Sequence, residues 1–181
     1  VQNHEKNELQ IAENIYKEIL KTNPNHFGSI FYLGTLLVQT QRFELAKSLL
    51  HKATQINPNY AAAHNNLGAA LKELGEYEGS VSCCQKAIRI NPNYPDAYNN
   101  LGLAFQELGE MQQAINCYQK LIQIQSNHAD AHYNLGSIYV ALGNTQKAIN
   151  YYQEALKHEP ENLFYYYHLN DLNNEILNSN L

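Results

Sequence analysis

Apolar and small residues recur along the chain with the spacing of one face of an α-helix, and this pattern repeats every 34 residues. The clearest marker is a Leu-Gly dipeptide that returns at Leu33-Gly34, Leu67-Gly68, Leu101-Gly102 and Leu135-Gly136. With this leucine numbered position 7, one apolar face comprises positions 4, 7, 8 and 11, and a second comprises positions 20, 24 and 27. The pattern predicts two amphipathic helices in each unit, joined as an antiparallel hairpin.

The period divides the chain into aligned units without insertion or deletion. Four complete units cover residues 27–60, 61–94, 95–128 and 129–162. Residues 1–26 match the second helix of a preceding unit, and residues 163–181 match a capping helix or the first helix of a fifth unit. The N-terminus shows neither an initiator Met nor a signal peptide, which is the pattern expected of a fragment cut from a longer protein.

Glycine and proline mark the ends of the predicted helices. Gly75, Gly109 and Gly143 share position 15, where a glycine with positive φ ends the first helix of a unit, and Gln41 occupies this position in the first unit. Asn-Pro pairs near the end of most units stop the second helix, because proline disfavours helical geometry in the residue before it. We therefore expect a turn at position 15 and a helix end before each Asn-Pro pair.

The composition of the chain indicates which binding partners and which cellular setting to expect. The chain has 12 Lys and Arg against 17 Asp and Glu, a formal charge of -5, so nucleic acid is not an expected partner. It contains no run of about 18 apolar residues, so no membrane span is predicted. The odd number of cysteines, with Cys83 and Cys84 adjacent, favours a reducing, cytoplasmic setting. The frequent Asn, Tyr, Ile and Lys residues suggest a bacterial source.

These columns resemble the tetratricopeptide repeat family over nearly the whole chain. The family pattern has a bulky residue at position 4, Leu-Gly at 7 and 8, Ala at 20 and 27, an aromatic residue at 24 and Pro at 32. The resemblance implies an all-α fold, a right-handed superhelical solenoid of antiparallel helix pairs. The pentatricopeptide RNA-binding repeats are the nearest confusable family, but their slightly longer period is not favoured here.

The resemblance also implies a peptide-binding groove on the first helices. At position 6 the chain carries Asn66, Asn100 and Asn134, and this column is similar to the asparagine ladder of O-linked N-acetylglucosamine transferases. An amide side chain can both donate to and accept from the peptide groups of an extended chain. The neighbouring columns add Asn65, Asn99 and Tyr133 at position 5, and Asp96 and Asp130 at position 2. The competing interpretation is that asparagine is merely tolerated at a solvated helix position.

Three functions follow as hypotheses. The first is a non-catalytic module that binds an extended peptide or partner protein segment through the asparagine column. The second is the substrate-presenting arm of a larger glycosyltransferase or sulfotransferase. The third is a homo-oligomerising scaffold. It rests on the aromatic cluster Phe164, Tyr165, Tyr166 and Tyr167, whose expected cover is packing on the fourth unit, self-association or docking on a further domain.

Other constellations are not favoured. His128 and His132 have a metal-binding spacing but lack a third ligand, and the cysteines form no CxxC pair, so no metal or cofactor is expected. Catalytic motifs such as GxSxG or a phosphate-binding loop are missing from the sequence, and no enzyme activity is predicted. A Lys and Arg clamp for a C-terminal carboxylate would have to rely on Lys72 and Arg42, which do not match the family positions.

Overall fold

The computed structural model describes the backbone of residues 2–179 and the side chains of residues 8–174 and of residue 177. The described residues form helices only. These are α1 (Gln2–Thr22), α2 (Phe27–Gln39), α3 (Phe43–Ile56), α4 (Ala61–Glu73), α5 (Tyr77–Ile90), α6 (Pro95–Glu107), α7 (Met111–Ile124), α8 (Ala129–Ala141), α9 (Thr145–His158) and α10 (Leu163–Ser179). The even-numbered helices from α2 start 34 residues apart, as do the odd-numbered helices from α3. The predicted all-α architecture of helix pairs is therefore confirmed.

The helices pack as two compact units. The first contains α1 to α6 and ends at Leu108, and the second starts at Gly109 and contains α7 to α10. The boundary falls between the two helices of the third predicted sequence unit. In the first unit Leu33, Leu50 and Leu67 belong to a buried core that also contains Phe31, and in the second Tyr152 and Leu172 belong to a core.

The glycine at position 8 lets the two helices of a pair approach closely. A Cβ on Gly34 would lie 2.8 Å from Leu50 Cγ, and one on Gly68 would lie 2.6 Å from Cys84 Sγ. In the second unit a Cβ on Gly136 would lie 2.5 Å from the Tyr152 ring. The small residue thus provides the space in which the facing helix places its position 24 side chain.

The predicted turns are present. Gly75, Gly109 and Gly143 have φ values of 77°, 75° and 71°, and Gln41 adopts the same left-handed conformation with a φ of 58°. The second helices end at Ile56 and Ile90, immediately before Asn57-Pro58 and Asn91-Pro92. Gln41 therefore departs from the glycine pattern in residue type, but its backbone has the same left-handed conformation.

A buried ion pair joins α1 to the turn between α2 and α3. The Arg42 guanidinium donates to both carboxylate oxygens of Glu13, at 3.0 and 2.5 Å, and Lys17 Nζ lies 2.6 Å from Glu13 Oε1. Hydrogen bonds first from Arg42 and then from Lys17 lower the pKa of Glu13 from 4.5 to about 2. The carboxylate consequently stays charged although its side chain is buried.

None of the described helices is both long enough and apolar enough to cross a membrane.

The turn at Gln41 makes a stability prediction. Placing an L-residue in the left-handed region costs about 1–2 kcal/mol of folding free energy. Glycine avoids this cost, but it also increases the conformational entropy of the unfolded chain, which offsets part of the gain. We expect Gln41→Gly to raise the free energy of unfolding by about 0.5–1 kcal/mol in urea titrations followed by circular dichroism. Gly75→Ala should lower it by about 1 kcal/mol, since a Cβ there meets nothing within 4 Å and the cost is conformational. A less stable Gln41→Gly variant would contradict this account.

The Glu13 ion pair predicts a pH dependence. Because the folded pKa lies below the unfolded value, the stabilisation is complete above pH 4.5 and is lost as the pH falls through about 2. The loss of unfolding free energy across this window should be smaller in Glu13→Gln than in the unchanged chain. Glu18→Gln is the matched control, because Glu18 lies on the same helix but is exposed in its pair with Lys21. Equal acid sensitivity in all three proteins would show that Glu13 does not contribute.

Candidate functional site

The predicted asparagine column lies on the first helices of the helix pairs, which pack side by side in the first unit, α2 against α4 and α4 against α6. Asn66 Nδ2 donates to Thr35 Oγ1 at 2.9 Å, which links α4 to α2. Asn100 Nδ2 donates to Asn65 Oδ1 at 3.0 Å, which links α6 to α4. Asn65 Nδ2 donates to Asn66 Oδ1 at 3.2 Å and completes a chain of side-chain hydrogen bonds across three helices.

Asn100 opens onto a cleft of about 400 Å³ on this side of the first unit. The cleft is formed by the ends of α2 and α4 and by the start of α3, and its other lining residues are Val38, Gln39, Gln41, Phe43, Ala69, Lys72 and Glu73. Most of them belong to positions 9, 12 and 13 of the first helices, the same helices that carry the asparagine column. Lys72 and Glu73 form an ion pair at 2.6 Å, so the cleft wall presents a locally neutralised charge pair.

The two position 5 asparagines of the first unit are not equivalent to the position 6 asparagines. Asn65 is 4% exposed and lies beneath the hydrogen-bonded column rather than on the surface of the groove. Asn99 is half-buried, and its Oδ1 is enclosed with no hydrogen-bond partner among the described residues. Asp96, by contrast, is exposed in the first turn of α6, where a carboxylate can reach a ligand.

In the second unit, two of the predicted groove residues contact the C-terminal helix. The Tyr165 hydroxyl donates to Asp130 Oδ1. Tyr133 stacks on Tyr165 with ring centroids 5.0 Å apart and also contacts Phe164 at 5.1 Å. Burial, followed by the Asp130 carboxylate, raises the pKa of Tyr165. Asn134, on α8 in the same unit, is half-buried.

The aromatic cluster of α10 is divided between core and surface. Tyr165 is buried against α8, which provides the packing on the fourth sequence unit that was one expected cover for this cluster. Phe164, Tyr166 and Tyr167 remain 57%, 55% and 66% exposed. Three exposed rings therefore remain at the start of this helix, with Phe164 and Tyr167 three residues apart on one side and Tyr166 on another.

The histidine pair and the cysteines have structural surroundings. His128 caps α8 by accepting from Ala131 N–H at 3.2 Å, and buried His132 lies 3.1 Å from the Ser126 carbonyl through Nε2. No group of three or more metal-ligating side chains occurs in the described part of the chain. Burial raises the pKa of Cys83 to about 11 and that of Cys117 to about 12, so both thiols stay protonated at neutral pH.

The two cationic candidates for a carboxylate clamp are already paired. Arg42 is held by Glu13, and Lys72 by Glu73. Neither side chain is presented as an uncompensated charge to a ligand carboxylate.

Sequence reasoning missed two residues that support the column. Thr35, at position 9, accepts from Asn66 and donates to the Phe31 carbonyl at 2.9 Å. Tyr94, in the linker before α6, hydrogen-bonds the Asn65 side chain through its hydroxyl. A hydroxyl at position 9, which recurs as Ser137, was the available signal for the first; no periodic signal points to the second.

Solved structures of similar fold cover most of the chain. MamA shares 29% sequence identity over 88% of this chain and 94% of its own, with a TM-score of 0.79. YrrB, a TPR protein with an unusual peptide-binding site, shares 22% over 91% and 85%, with a TM-score of 0.75. TTC0263, a thermophilic TPR protein in Thermus thermophilus, shares 20% over 95% and 94%, also at 0.75. No curated protein matches the chain.

The repeated part of the sequence matches profiles of one repeat family. The tetratricopeptide repeat profile matches residues 93–158, and a second TPR profile matches residues 34–75 and 70–109. Together these matches run from residue 34 to residue 158, more than half of the chain. With helix pairs that start every 34 residues, the chain belongs to the tetratricopeptide repeat family.

Proposed function

We propose that this TPR protein is a non-catalytic interaction module that binds extended peptide segments through its position 6 asparagines, Asn66 and Asn100 in the first unit and Asn134 in the second. The observation that carries the proposal is the placement of Asn100, whose amide is anchored to Asn65 through one N–H and lines the 400 Å³ cleft. An anchored amide can offer its remaining donor and its acceptor to a ligand with little loss of side-chain freedom.

The shape of the site suits an extended segment better than a helix or a small molecule. In the first unit Asn66 on α4 and Asn100 on α6 lie one repeat apart, so a ligand that meets both must run across these two helices. Main-chain groups of an extended peptide are spaced regularly along such a path, whereas a helix satisfies its own main-chain groups. The predicted contacts therefore recognise main chain more than side-chain identity.

The charge of the site favours a neutral or basic ligand. Asp96 is exposed at the start of α6, and the chain as a whole carries a formal charge of -5. Lys72, the cation in the cleft, is already paired with Glu73. Long-range attraction would thus accelerate the association of basic segments, with an effect that falls as salt is added.

The triple variant Asn66→Ala, Asn100→Ala, Asn134→Ala tests this function. Each lost amide pair should cost about 0.5–1.5 kcal/mol, so partners captured from cell lysate and identified by mass spectrometry should disappear or weaken strongly. Binding of synthetic segments from those partners, measured by calorimetry, should weaken in the same variant.

The matched control replaces three asparagines of the second helices. Asn14, Asn116 and Asn150 are exposed, and each accepts from a glutamine four residues earlier. A triple alanine variant at these positions should retain the captured partners. Retention by both triple variants would place the interaction outside the asparagine column.

The exposed rings of α10 favour homo-oligomerisation as a second candidate. Phe164, Tyr166 and Tyr167 are more than half exposed within the first turns of α10, and exposed apolar area of this kind marks association sites in soluble proteins.

Light scattering coupled to size-exclusion chromatography tests the second candidate across a concentration series. The unchanged chain should increase in mass with concentration, and Phe164→Ser with Tyr167→Ser should suppress this increase by removing apolar contact area. Tyr32→Ser is the control, since Tyr32 is similarly exposed but lies on α2. A monomer at every concentration would eliminate self-association.

A further inference from the structure

Asn65 differs from the position 6 asparagines because it is buried and because both ends of its amide are hydrogen-bonded to those asparagines. Its Nδ2 donates to Asn66 Oδ1 at 3.2 Å, and its side chain also hydrogen-bonds the Tyr94 hydroxyl. Its Oδ1 accepts from Asn100 Nδ2 at 3.0 Å. At 4% exposure it has no surface to present to a ligand, although its residue type and position suggested a ligand contact.

Asn65 joins Asn66 and Asn100, and these two asparagines differ in the hydrogen-bonding groups that remain for a ligand. Asn100 uses one N–H, so its second N–H and its Oδ1 have no partner within the described residues. Asn66 is bound through both ends of its amide, with Oδ1 accepting from Asn65 and Nδ2 donating to Thr35. It keeps one N–H and one lone pair of Oδ1.

The direction of these hydrogen bonds determines the direction of the amides. An amide that flips by half a turn exchanges its oxygen for its nitrogen, and such a flip at Asn100 would place an oxygen against Asn65 Oδ1. Two acceptors facing each other in a buried site lose their hydrogen bond and repel, so the flipped state is disfavoured. Asn65 therefore selects one orientation of Asn100 and, through Nδ2, one orientation of Asn66.

We propose, resting on the function proposed above, that Asn65 is a positioning residue that orients Asn100 so that the peptide residue opposite it must carry a main-chain N–H. The Asn100 oxygen accepts that N–H, and the remaining Asn100 N–H donates to a main-chain carbonyl. Asn66 contributes less to peptide binding because both ends of its amide are already hydrogen-bonded within the chain. The partner is an extended segment without proline or another N-substituted residue opposite Asn100.

The first test requires no ligand. In ¹⁵N-labelled protein, the Asn100 side-chain amide proton that is hydrogen-bonded to Asn65 should exchange with solvent more slowly than the second proton of the same amide. Asn65→Leu, which removes both hydrogen-bonding ends at similar volume, should accelerate the exchange of Asn100 and Asn66. Thr35→Val should affect Asn66 while Asn100 stays slow, because Thr35 pairs only with Asn66 in the column. Unchanged exchange at Asn100 in folded Asn65→Leu would overturn the positioning role.

The second test measures main-chain discrimination with a defined probe. The probe is an acetylated and amidated hexapeptide of alternating Ala and Lys, compared with its analogue that is N-methylated at every Ala. The unchanged chain should bind the unmethylated peptide more tightly, and Asn65→Leu should reduce this preference by roughly three- to tenfold through lost preorganisation. Ser80→Ala is the control, because this buried hydroxyl lies outside the column and should leave the preference unchanged.

The outcomes separate this inference from the function on which it rests. Equal binding of both peptides by the unchanged chain would refute main-chain recognition by Asn100. If Asn65→Leu binds both peptides more weakly but keeps the same preference for the unmethylated peptide, Asn65 has only a structural role. If Asn65→Leu does not fold, Asn65→Asp keeps the size and an acceptor for Asn100 but cannot donate to Asn66; it should accelerate exchange at Asn66 alone. If the probe does not bind to the unchanged chain, groove binding of this peptide is refuted. If Asn65→Leu nevertheless loses the slow exchange at Asn100, the positioning role of Asn65 is retained.

Discussion

The close contact at position 8 is the constraint on which the rest of the structure depends. A Cβ on Gly34, Gly68 or Gly136 would lie 2.5–2.8 Å from the position 24 side chain of the facing helix. These distances are shorter than any ordinary carbon contact, so a larger residue would separate the two helices or displace the side chain. Because the same contact recurs in α2 with α3, in α4 with α5 and in α8 with α9, the first helix has the same orientation within each of these pairs. In the first unit that repetition helps to place equivalent positions of α2 and α4 in one row.

Charge pairs between successive repeats add to this packing at fixed positions of the period, but the acid and the base do not keep the same positions. Glu13 and Arg42 occupy positions 21 and 16 of adjacent repeats, and Lys47 and Glu76 occupy the same two positions one repeat later with the signs reversed. A column of residue types does not reveal such pairs, because the acid and the base exchange places. The first pair is buried at Glu13 and the second is more exposed, so the two should differ in their contribution to stability.

Residues at positions 6, 9, 12 and 13 line one cleft in the first unit. The repeat pattern places these positions on the first helices. It did not distinguish Asn65 from Asn66, which are neighbours of one residue type but differ in burial and in hydrogen-bond partners. Tyr94 was missed because its role depends on a linker that packs beneath the column.

By itself the sequence determined the helices, their turns and the family, because these follow from local spacing, from positive φ at glycine and from small residues at fixed intervals. Gln41 shows how strong that determination is, since the turn forms even where glycine is missing. Only the tertiary structure decided that Tyr165 enters the core while Phe164 and Tyr166 stay on the surface, and that Asn65 supports the site instead of contacting a ligand. The physical reason is that burial and hydrogen-bond direction depend on which side chains neighbouring repeats bring together, and a periodic pattern does not contain that information.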